Sequence, residues 1–448
     1  MSSTDVAVFT GTDQIGPFVN TLAEPAWSMN VRRQALKQFN AMPWPTTEDE
    51  EWRRSDVSSY DFDRYALSPV EAAVPAAGAV PEGRSGLLRF ENGRCVAASL
   101  APELAEKGVV FASLAAFLHE ETANHAGNGA KAHAAVQGIF ERRSAEVEHR
   151  LFAWHYATWT HGVVLYVPGF VEVEQPFEVQ FHFDGDAMLA TPHVVAVAET
   201  GGRATLLHTV SSGDEGEILL NEVINADVAD TARVEIATHY ELNYDSSTFS
   251  NGHAVVGRDA AYHSFVSSFG GMFSKLRMDA ELNGTGGDID LDGLYFAGED
   301  QHMDLRTLQV HNAVNANSRT FYKGAVKDEA HTIYQGLIRV AHGASKTDAY
   351  LTNNNLVLNN GARADSIPGL NINTDDVKCS HGSTTGKIDE VQLYYLQTRG
   401  FDYETARIML VQGFLEEVIA KAPDAVQDRL RELVEQRILA EYDTGDDE

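Results

Sequence analysis

Alternation dominates the middle of the chain. In Phe177-Glu178-Val179-Gln180-Phe181-His182-Phe183 the aromatic and branched residues take every second position, which is the period of a strand with one buried face. Short apolar segments recur at Val194 to Val197, Ala204 to Val210, Ile218 to Val223, Val234 to Leu242, His253 to Val256, Tyr262 to Val266, Leu305 to Val310 and Thr332 to Val340. Gly, Asn and Asp turns separate them, with no helical pattern between. About 220 residues of short strands without an α crossover exclude a doubly wound sheet and leave a sandwich, a jelly roll or a β-solenoid. Asn-rich turns such as Thr352-Asn353-Asn354-Asn355 and Asn359-Asn360-Gly361 favour the solenoid, whose tight turns use left-handed residues, although no strict repeat is visible.

The flanks read differently. Residues 1–150 are expected to be mainly helical, broken by Pro43-Trp44-Pro45 and by an Ala/Pro/Gly-rich stretch near 70–86 that reads as a flexible linker. Gly108 to Glu121 predicts a short strand and then a helix capped by Ser113, and Arg143 to Trp159 predicts a helix with Val147, Leu151, Trp154 and Thr158 on one face. After a β core over 160–385, residues 388–448 return to helix. Ile388 to Thr398 ends at Gly400, and Asp402 caps a helix striped by Ile408, Val411, Leu415, Val418 and Ile419. Pro423 precedes a third helix carrying Val426, Leu430, Leu433, Val434 and Ile438, and the acidic tail Asp443 to Glu448 is expected to fray. Stripes this strong need a cover, either the chain's own β core or a partner protein.

Charge narrows the partners. The 448 residues carry 34 Lys plus Arg against 65 Asp plus Glu, a net charge of −31, and such a field repels nucleic acid and anionic lipid. No apolar run reaches the roughly 18 residues of a membrane helix, and the first residues lack a basic segment followed by an apolar run, so a cytoplasmic protein is expected. The acid excess, with Arg favoured over Lys, suits a high-salt source as well as ordinary solubility. Cys95 and Cys379 are the only cysteines, too few for a disulfide framework or a self-contained four-cysteine site. Any soft metal site here must borrow ligands.

The usual enzyme motifs are missing. Gly343-Ala-Ser-Lys346-Thr347 lacks the glycine before lysine that a phosphate-binding loop needs, Gly284-Thr285-Gly286-Gly287 lacks the last glycine of a dinucleotide fingerprint, and neither Gly-x-Ser-x-Gly nor His-Glu-x-x-His occurs. Asp288, Asp290, Asp292, Gly293 and Glu299 match a calcium-loop pattern, but without flanking helices the segment reads as a strand with a solvated acidic face. In Cys379-Ser380-His381 the i and i+2 side chains share a strand face and could offer a thiolate and an imidazole to one soft metal. Two ligands are half a site, and the plain alternative is a Cys and a His finishing a strand. His302 and Asp304 have the same spacing and are expected to be a hydrogen-bonded structural pair. No His-x-His arrangement of the cupin type appears.

The run Asp375-Asp376-Val377-Lys378-Cys379-Ser380-His381-Gly382-Ser383-Thr384-Thr385-Gly386-Lys387-Ile388-Asp389 resembles the signature of the SufB/SufD family of iron-sulfur cluster assembly scaffolds. Leu165-Tyr166-Val167-Pro168-Gly169, Gln301-His302-Met303-Asp304 and Lys346-Thr347-Asp348 followed by Thr352-Asn353-Asn354-Asn355-Leu356 agree in order. The likeness spans residues 150–422 strongly and the N-terminal third weakly. Asn359-Asn360-Gly361-Ala362 in place of a cysteine-bearing turn, and Gly382 after the histidine, put it on the SufD side of the family.

The resemblance implies a mainly β fold: a right-handed parallel β-helix flanked by N-terminal and C-terminal helical domains. It implies a non-catalytic scaffold that pairs with a SufB-like paralogue through the C-terminal end of the β-helix and receives a SufC-like ATPase on its C-terminal helical domain. A homodimer is the pairing expected in isolation. The transient iron-sulfur cluster would be shared with the partner, with His381 as ligand and Cys379 as neighbour, and no cofactor would stay on the isolated chain. His381 ranks first because nearby carboxylates raise a thiol's pKa. An ATPase face is expected around Tyr394, Arg399, Phe401 and Asp402. The competing reading is a metal-dependent β-helix or cupin-like enzyme acting on a small or carbohydrate substrate, which requires carboxylates converging in a cleft.

Overall fold

The computed structural model describes residues 10–69, 75–120 and 127–439. The acidic tail and residues 70–74 of the expected linker lie outside that range, and residues 75–85 run without regular structure into the first long strand. The N-terminal third holds helices α1 (Ile15–Thr21), α2 (Ala26–Ala41), α3 (Pro102–Glu106), α4 (Leu114–Glu120), α5 (Asn128–Ala145) and α6 (Arg150–Thr158). It also holds strands β1 (Ala66–Leu67), β2 (Gly86–Glu91), β3 (Arg94–Leu100) and β4 (Val110–Ser113). The β2–β3 hairpin had a local signal, Asn92-Gly93, whose φ values of 50° and 81° suit a two-residue turn between twisted strands. Ser113 caps α4 as expected, its Oγ accepting from the Ala116 amide at 3.2 Å. The single helix expected over Arg143 to Trp159 is two, because the chain goes extended at His149 (φ −132°, ψ 149°) before α6 begins.

From His161 onward the chain winds as a parallel solenoid of about eight turns. Its strands are β5 (His161–Val167), β6 (Phe177–Phe183), β7 (Met188–Ala190), β8 (Pro192–Ala198), β9 (Arg203–Ser212), β10 (Ile218–Val228), β11 (Arg233–Glu241), β12 (Ser247–Val256), β13 (Ala261–Ser268), β14 (Phe273–Leu282), β15 (Asp288–Ala297), β16 (His302–His311), β17 (Asn317–Val326), β18 (His331–Val340), β19 (Thr347–Val357), β20 (Arg363–Ile372) and β21 (Val377–Lys387). One sheet runs β20-β18-β16-β14-β12-β10-β8-β5 and ends on β4; the other runs β21-β19-β17-β15-β13-β11-β9-β6 and ends on the β2–β3 hairpin. The antiparallel β4 and the hairpin thus close the first end of the solenoid.

The missing repeat now has a cause. The step between coils varies from 26 residues (Ser247 to its partner Phe273) to 32 (His331 to Arg363). What repeats is backbone geometry: Phe170, Gly201, Thr231, Asp259, Gly286, Asn315 and Lys346 all have positive φ at one corner. Successive amides there donate to the next coil, Gly201 to Asp230 O at 3.0 Å, Thr231 to Arg258 O at 2.8 Å and Asn315 to Ser345 O at 2.8 Å. Seven corner positions are filled by six residue types, so the conformation is conserved along the solenoid while the letters are not.

Inside, alternate residues fill a continuous apolar lumen, including Leu165, Val179, Leu206, Leu220, Ile236, Leu291, Leu305 and Leu351. Outside, two covers meet the two sheets. Trp27, Phe39, Phe62 and Trp154 join Val195, Leu219 and Phe249 over the first coils of one sheet. The C-terminal helices α7 (Glu390–Thr398), α8 (Tyr403–Ile419) and α9 (Asp424–Leu439) follow, and Val411, Leu415, Leu430 and Val434 pack on Leu207, Phe265, Leu294 and Ala325 of the other. The chain's own core therefore covers the stripes.

Burial also fixes several histidines as neutral. It holds His155 and His161 down at about 3, His193 well below its usual value, and His302 and His311 at about 4. Such groups take up protons only on unfolding, so the stability they contribute is present above the unfolded pKa near 6.5 and is lost as pH falls below it. Each should contribute a slope of up to about 1.4 kcal/mol per pH unit. Urea midpoints measured between pH 7 and 5 should fall steeply, and the His161→Phe variant should show a shallower slope; equal slopes would contradict this account.

Candidate functional site

Among the described residues, nothing caps the second end of the solenoid. β20 pairs only with β18 and β21 only with β19, so each presents a free edge of backbone donors and acceptors. β21 is largely exposed and β20 half-buried to exposed, with Leu370 on β20 40 % accessible. Parallel register fixes what the mouth displays. Cys379 pairs with Ala349 and His381 with Leu351, two lumen residues, so Cys379 and His381 face the lumen side at its open end. Cys379 packs partly on the core while His381 is exposed. The Cys379 thiol is pushed above its usual range, chiefly by burial and secondarily by Asp348. The expectation that carboxylates dominate is thereby corrected: desolvation is the larger cause.

Cys379 and His381 are the two soft donors placed together here. Among the described residues, one group of three His, Cys, Asp or Glu side chains brings its ligand atoms within 4.8 Å: Glu51, Glu148 and His149. A cation already serves it. Arg277 Nη1 lies 2.9 Å from Glu148 Oε2 and 3.4 Å from Glu51, and His149 Nε2 is 2.6 Å from Glu51 Oε2. Burial alone would raise the Glu51 carboxyl, but the His149 hydrogen bond and the charges of Arg277, His149 and Lys275 bring it to about 2. The cluster pins the 43–65 segment onto the sheet, and sequence reasoning missed it because its members are distant in the chain.

The other sequence candidates resolve into structure. His302 and Asp304 meet through Ser55, whose Oγ lies 3.2 Å from His302 Nε2 and donates to Asp304 Oδ2 at 2.6 Å. Asp304 is fully buried and also binds Lys275 at 2.6 Å and Arg306 at 3.0 Å. Asp288, Asp290 and Asp292 do lie on a strand, β15, with Glu299 in the turn after it, but the solvated-face expectation holds for Asp288 only. Asp292 is buried, facing His263 Nε2 at 3.1 Å and Lys421 Nζ at 3.5 Å. Glu235 sits 2.7 Å from the other nitrogen of His263. Against the lowering effect of burial, these two carboxylates raise His263 to about 9, so it is a cation at neutral pH and offers neither a base nor a metal lone pair.

The C-terminal helices present the remaining surface. Asp389 caps α7, accepting from the Val391 amide at 2.8 Å, so this helix starts two residues later than Ile388 because β21 continues to Lys387. Gly400 at φ 99° ends it. Val391, Tyr394 and Tyr395 are 75 %, 68 % and 55 % exposed, and Phe401 and Tyr403 are also exposed. Arg399 lies over the Tyr395 ring and donates to its hydroxyl at 3.0 Å. Asp402 differs from its neighbours in role. Its carboxylate accepts from the Thr405 amide at 2.8 Å as the cap of α8, and that hydrogen bond holds it below the usual carboxylate range.

Comparison with known proteins agrees with this geometry. Residues 181–414 match the family model described as SUF system FeS cluster assembly, SufBD core domain. The chain is 28 % identical over 425 residues to the iron-sulfur cluster assembly protein SufD of Bacillus subtilis (strain 168), covering 93 % of this chain and 95 % of that protein. It is 32 % identical over 299 residues to a SufBD family protein of Mycobacterium bovis (strain ATCC BAA-935 / AF2122/97), covering 64 % and 74 %. Against the SufD of Escherichia coli (strain K12) it is 32 % identical over 251 residues, covering 55 % and 57 %.

Two substitutions separate support from surface in the helical module. Leu415→Ala should cost about 2 to 5 kcal/mol, since it empties a fully buried site, whereas Asp402→Ala, which only uncaps α8 at an exposed position, should cost clearly less. Chemical denaturation of both variants checks the order.

Proposed function

Because this chain belongs to the SufBD family of iron-sulfur cluster assembly proteins, we propose that it is a scaffold subunit whose open solenoid end pairs with a SufB-like paralogue and shares a nascent cluster with it. The observation that carries this reading is the pair of free parallel edges, β20 and β21, framing a mouth that displays Cys379 and His381. A cluster needs about four protein ligands, and two donors here require the rest from across the interface. The cluster is cargo, bound while it is built and then passed on. His381 is the exposed donor and the better placed; the raised thiol of Cys379 makes it the weaker one. Backbone edges of the same parallel polarity add strand to strand, which also accounts for self-pairing when the paralogue is absent. No helix among the described residues is long and apolar enough to cross a membrane, and the acidic surface disfavours nucleic acid.

A SufC-like ATPase would dock on the exposed face of α7 and the turn after it, where Tyr394, Arg399 and Phe401 stand clear of the core. Aromatic and arginine side chains are the residues that dominate binding at such contacts. Asp402 supports the face by holding the start of α8.

Two measurements test the proposal. Iron and sulfide should be assayed in the complex reconstituted with SufB and SufC chains at equal complex recovery. His381→Ala should lose most of the cluster and Cys379→Ala less; unchanged loading in the histidine variant would leave this chain as architecture alone. Tyr394→Ala and Phe401→Ala should weaken SufC co-purification by at least tenfold with unchanged circular dichroism, and full retention would place the docking face elsewhere.

A further inference from the structure

Deep in the lumen, two coils break the aliphatic rule at the same level. Along β10 the inward residues are Ile218, Leu220, Glu222, Ile224, Ala226 and Val228, and along β9 they are Ala204, Leu206, His208 and Val210. Glu222 and His208 are both fully buried and meet across the lumen, His208 Nε2 lying 3.0 Å from Glu222 Oε1. On the other carboxylate oxygen, Tyr240 of β11 donates at 2.6 Å and Ser250 of β12 at 3.2 Å, with 2.8 Å between the two hydroxyls. Four consecutive strands, from both sheets, thus gather one ring nitrogen and two hydroxyls around the two oxygens of the Glu222 carboxylate. Beside Tyr240 and Ser250 is a cavity of about 20 Å³ that Ile224, Ile236 and Leu276 also line and that His208 and Glu222 do not, enough for one water-sized ligand.

The fold itself has no need of this cluster. Replacing a buried charged pair by aliphatic residues is often neutral or stabilising, and the next coil sets uncharged residues, Thr238 and Ser250, at the same register positions. Ionisable groups gathered beside an internal cavity are a candidate binding site. We propose that His208, Glu222 and Tyr240, with Ser250 beside them, form a closed site for one divalent transition-metal ion of the zinc class. Imidazole, carboxylate and phenol are ligands such an ion accepts. Metal-ligand bonds of about 2.0 to 2.2 Å set neighbouring donor atoms roughly 3 to 3.5 Å apart, so the shortest of the present separations, 2.6 Å between Tyr240 and Glu222, has to open by roughly 0.4 to 0.9 Å. Charge also balances. On binding, the Tyr240 oxygen exchanges its proton for the metal, the proton leaves to solvent, and the dication is neutralised by one carboxylate and one phenolate. The site is sealed, so the ion enters as the coils close. It is separate from the mouth, where Cys379 and His381 stand on the last strand.

The test is to refold the full chain with one equivalent of Co²⁺ or Zn²⁺, remove free ion by gel filtration, and measure retained metal by mass spectrometry and the visible bands of bound Co²⁺. Wild type should keep close to one equivalent. Glu222→Gln and His208→Gln should keep less than a tenth of that. The Cys379→Ala/His381→Ala double variant should keep all of it. Should the buried variants fail to fold, Tyr240→Phe, which retains the ring, should fold with a normal circular dichroism spectrum and lose at least tenfold in retention. No retained metal in wild type, equal retention in Tyr240→Phe, or loss in the double variant would each overturn the proposal.

Discussion

Every coil of this molecule depends on its neighbours for backbone hydrogen bonds. A parallel strand cannot satisfy its own amides and carbonyls, so each turn of the solenoid is complete only when another lies on either side. At the N-terminal end β4 and the β2–β3 hairpin supply that neighbour in antiparallel form. Nothing within the described chain does so for β20 and β21. The unsatisfied end is therefore where another chain has most to gain, and it is also where Cys379 and His381 stand together. Architecture and chemistry point to the same place for one reason: the stacking that builds the lumen has to stop somewhere.

Charges inside this frame serve mostly as pins. Glu51, His149 and Arg277 hold the 43–65 segment against one sheet, together with Ser55, Lys275 and Asp304. On the other sheet Lys323 reaches Phe414 O at 2.7 Å and Glu417 at 2.6 Å, and Asp292 is shared by His263 and Lys421. Breaking one member of such a buried group leaves its partner unpaired, which costs more than the intact pair contributes. The helical covers are consequently fixed in register on the solenoid as well as packed against it. A net charge of −31 makes these few cations the scarce element, and most of the buried ones have at least one acidic partner.

Legibility followed sequence separation. Alternation alone placed Cys379 and His381 on one face, because two residues on one strand share a face whatever surrounds them. The cap at Asp402 and the stop at Gly400 were equally local. The strands β2 and β3 hid in a region that read as helical, since an apolar run such as Leu87-Leu88 has no period until its neighbours are known. The direct His302–Asp304 pair was misread for a related reason: Ser55, which stands between them, lies about 250 residues away in the chain.

The amino-acid sequence by itself determined that the middle of the chain is β without crossovers, that helices flank it, that no self-contained cluster can form on two cysteines, and that Cys379 and His381 share one strand face. Each of these follows from spacing within a few residues or from a count. The tertiary structure alone decided which side of β15 is buried, which charges meet, that α8 and α9 lie on the chain's own sheet, and that one end of the solenoid is capped and the other open. Those outcomes depend on the register between coils whose lengths differ by several residues. Register is a property of hydrogen-bonded neighbours, and a linear pattern does not contain it.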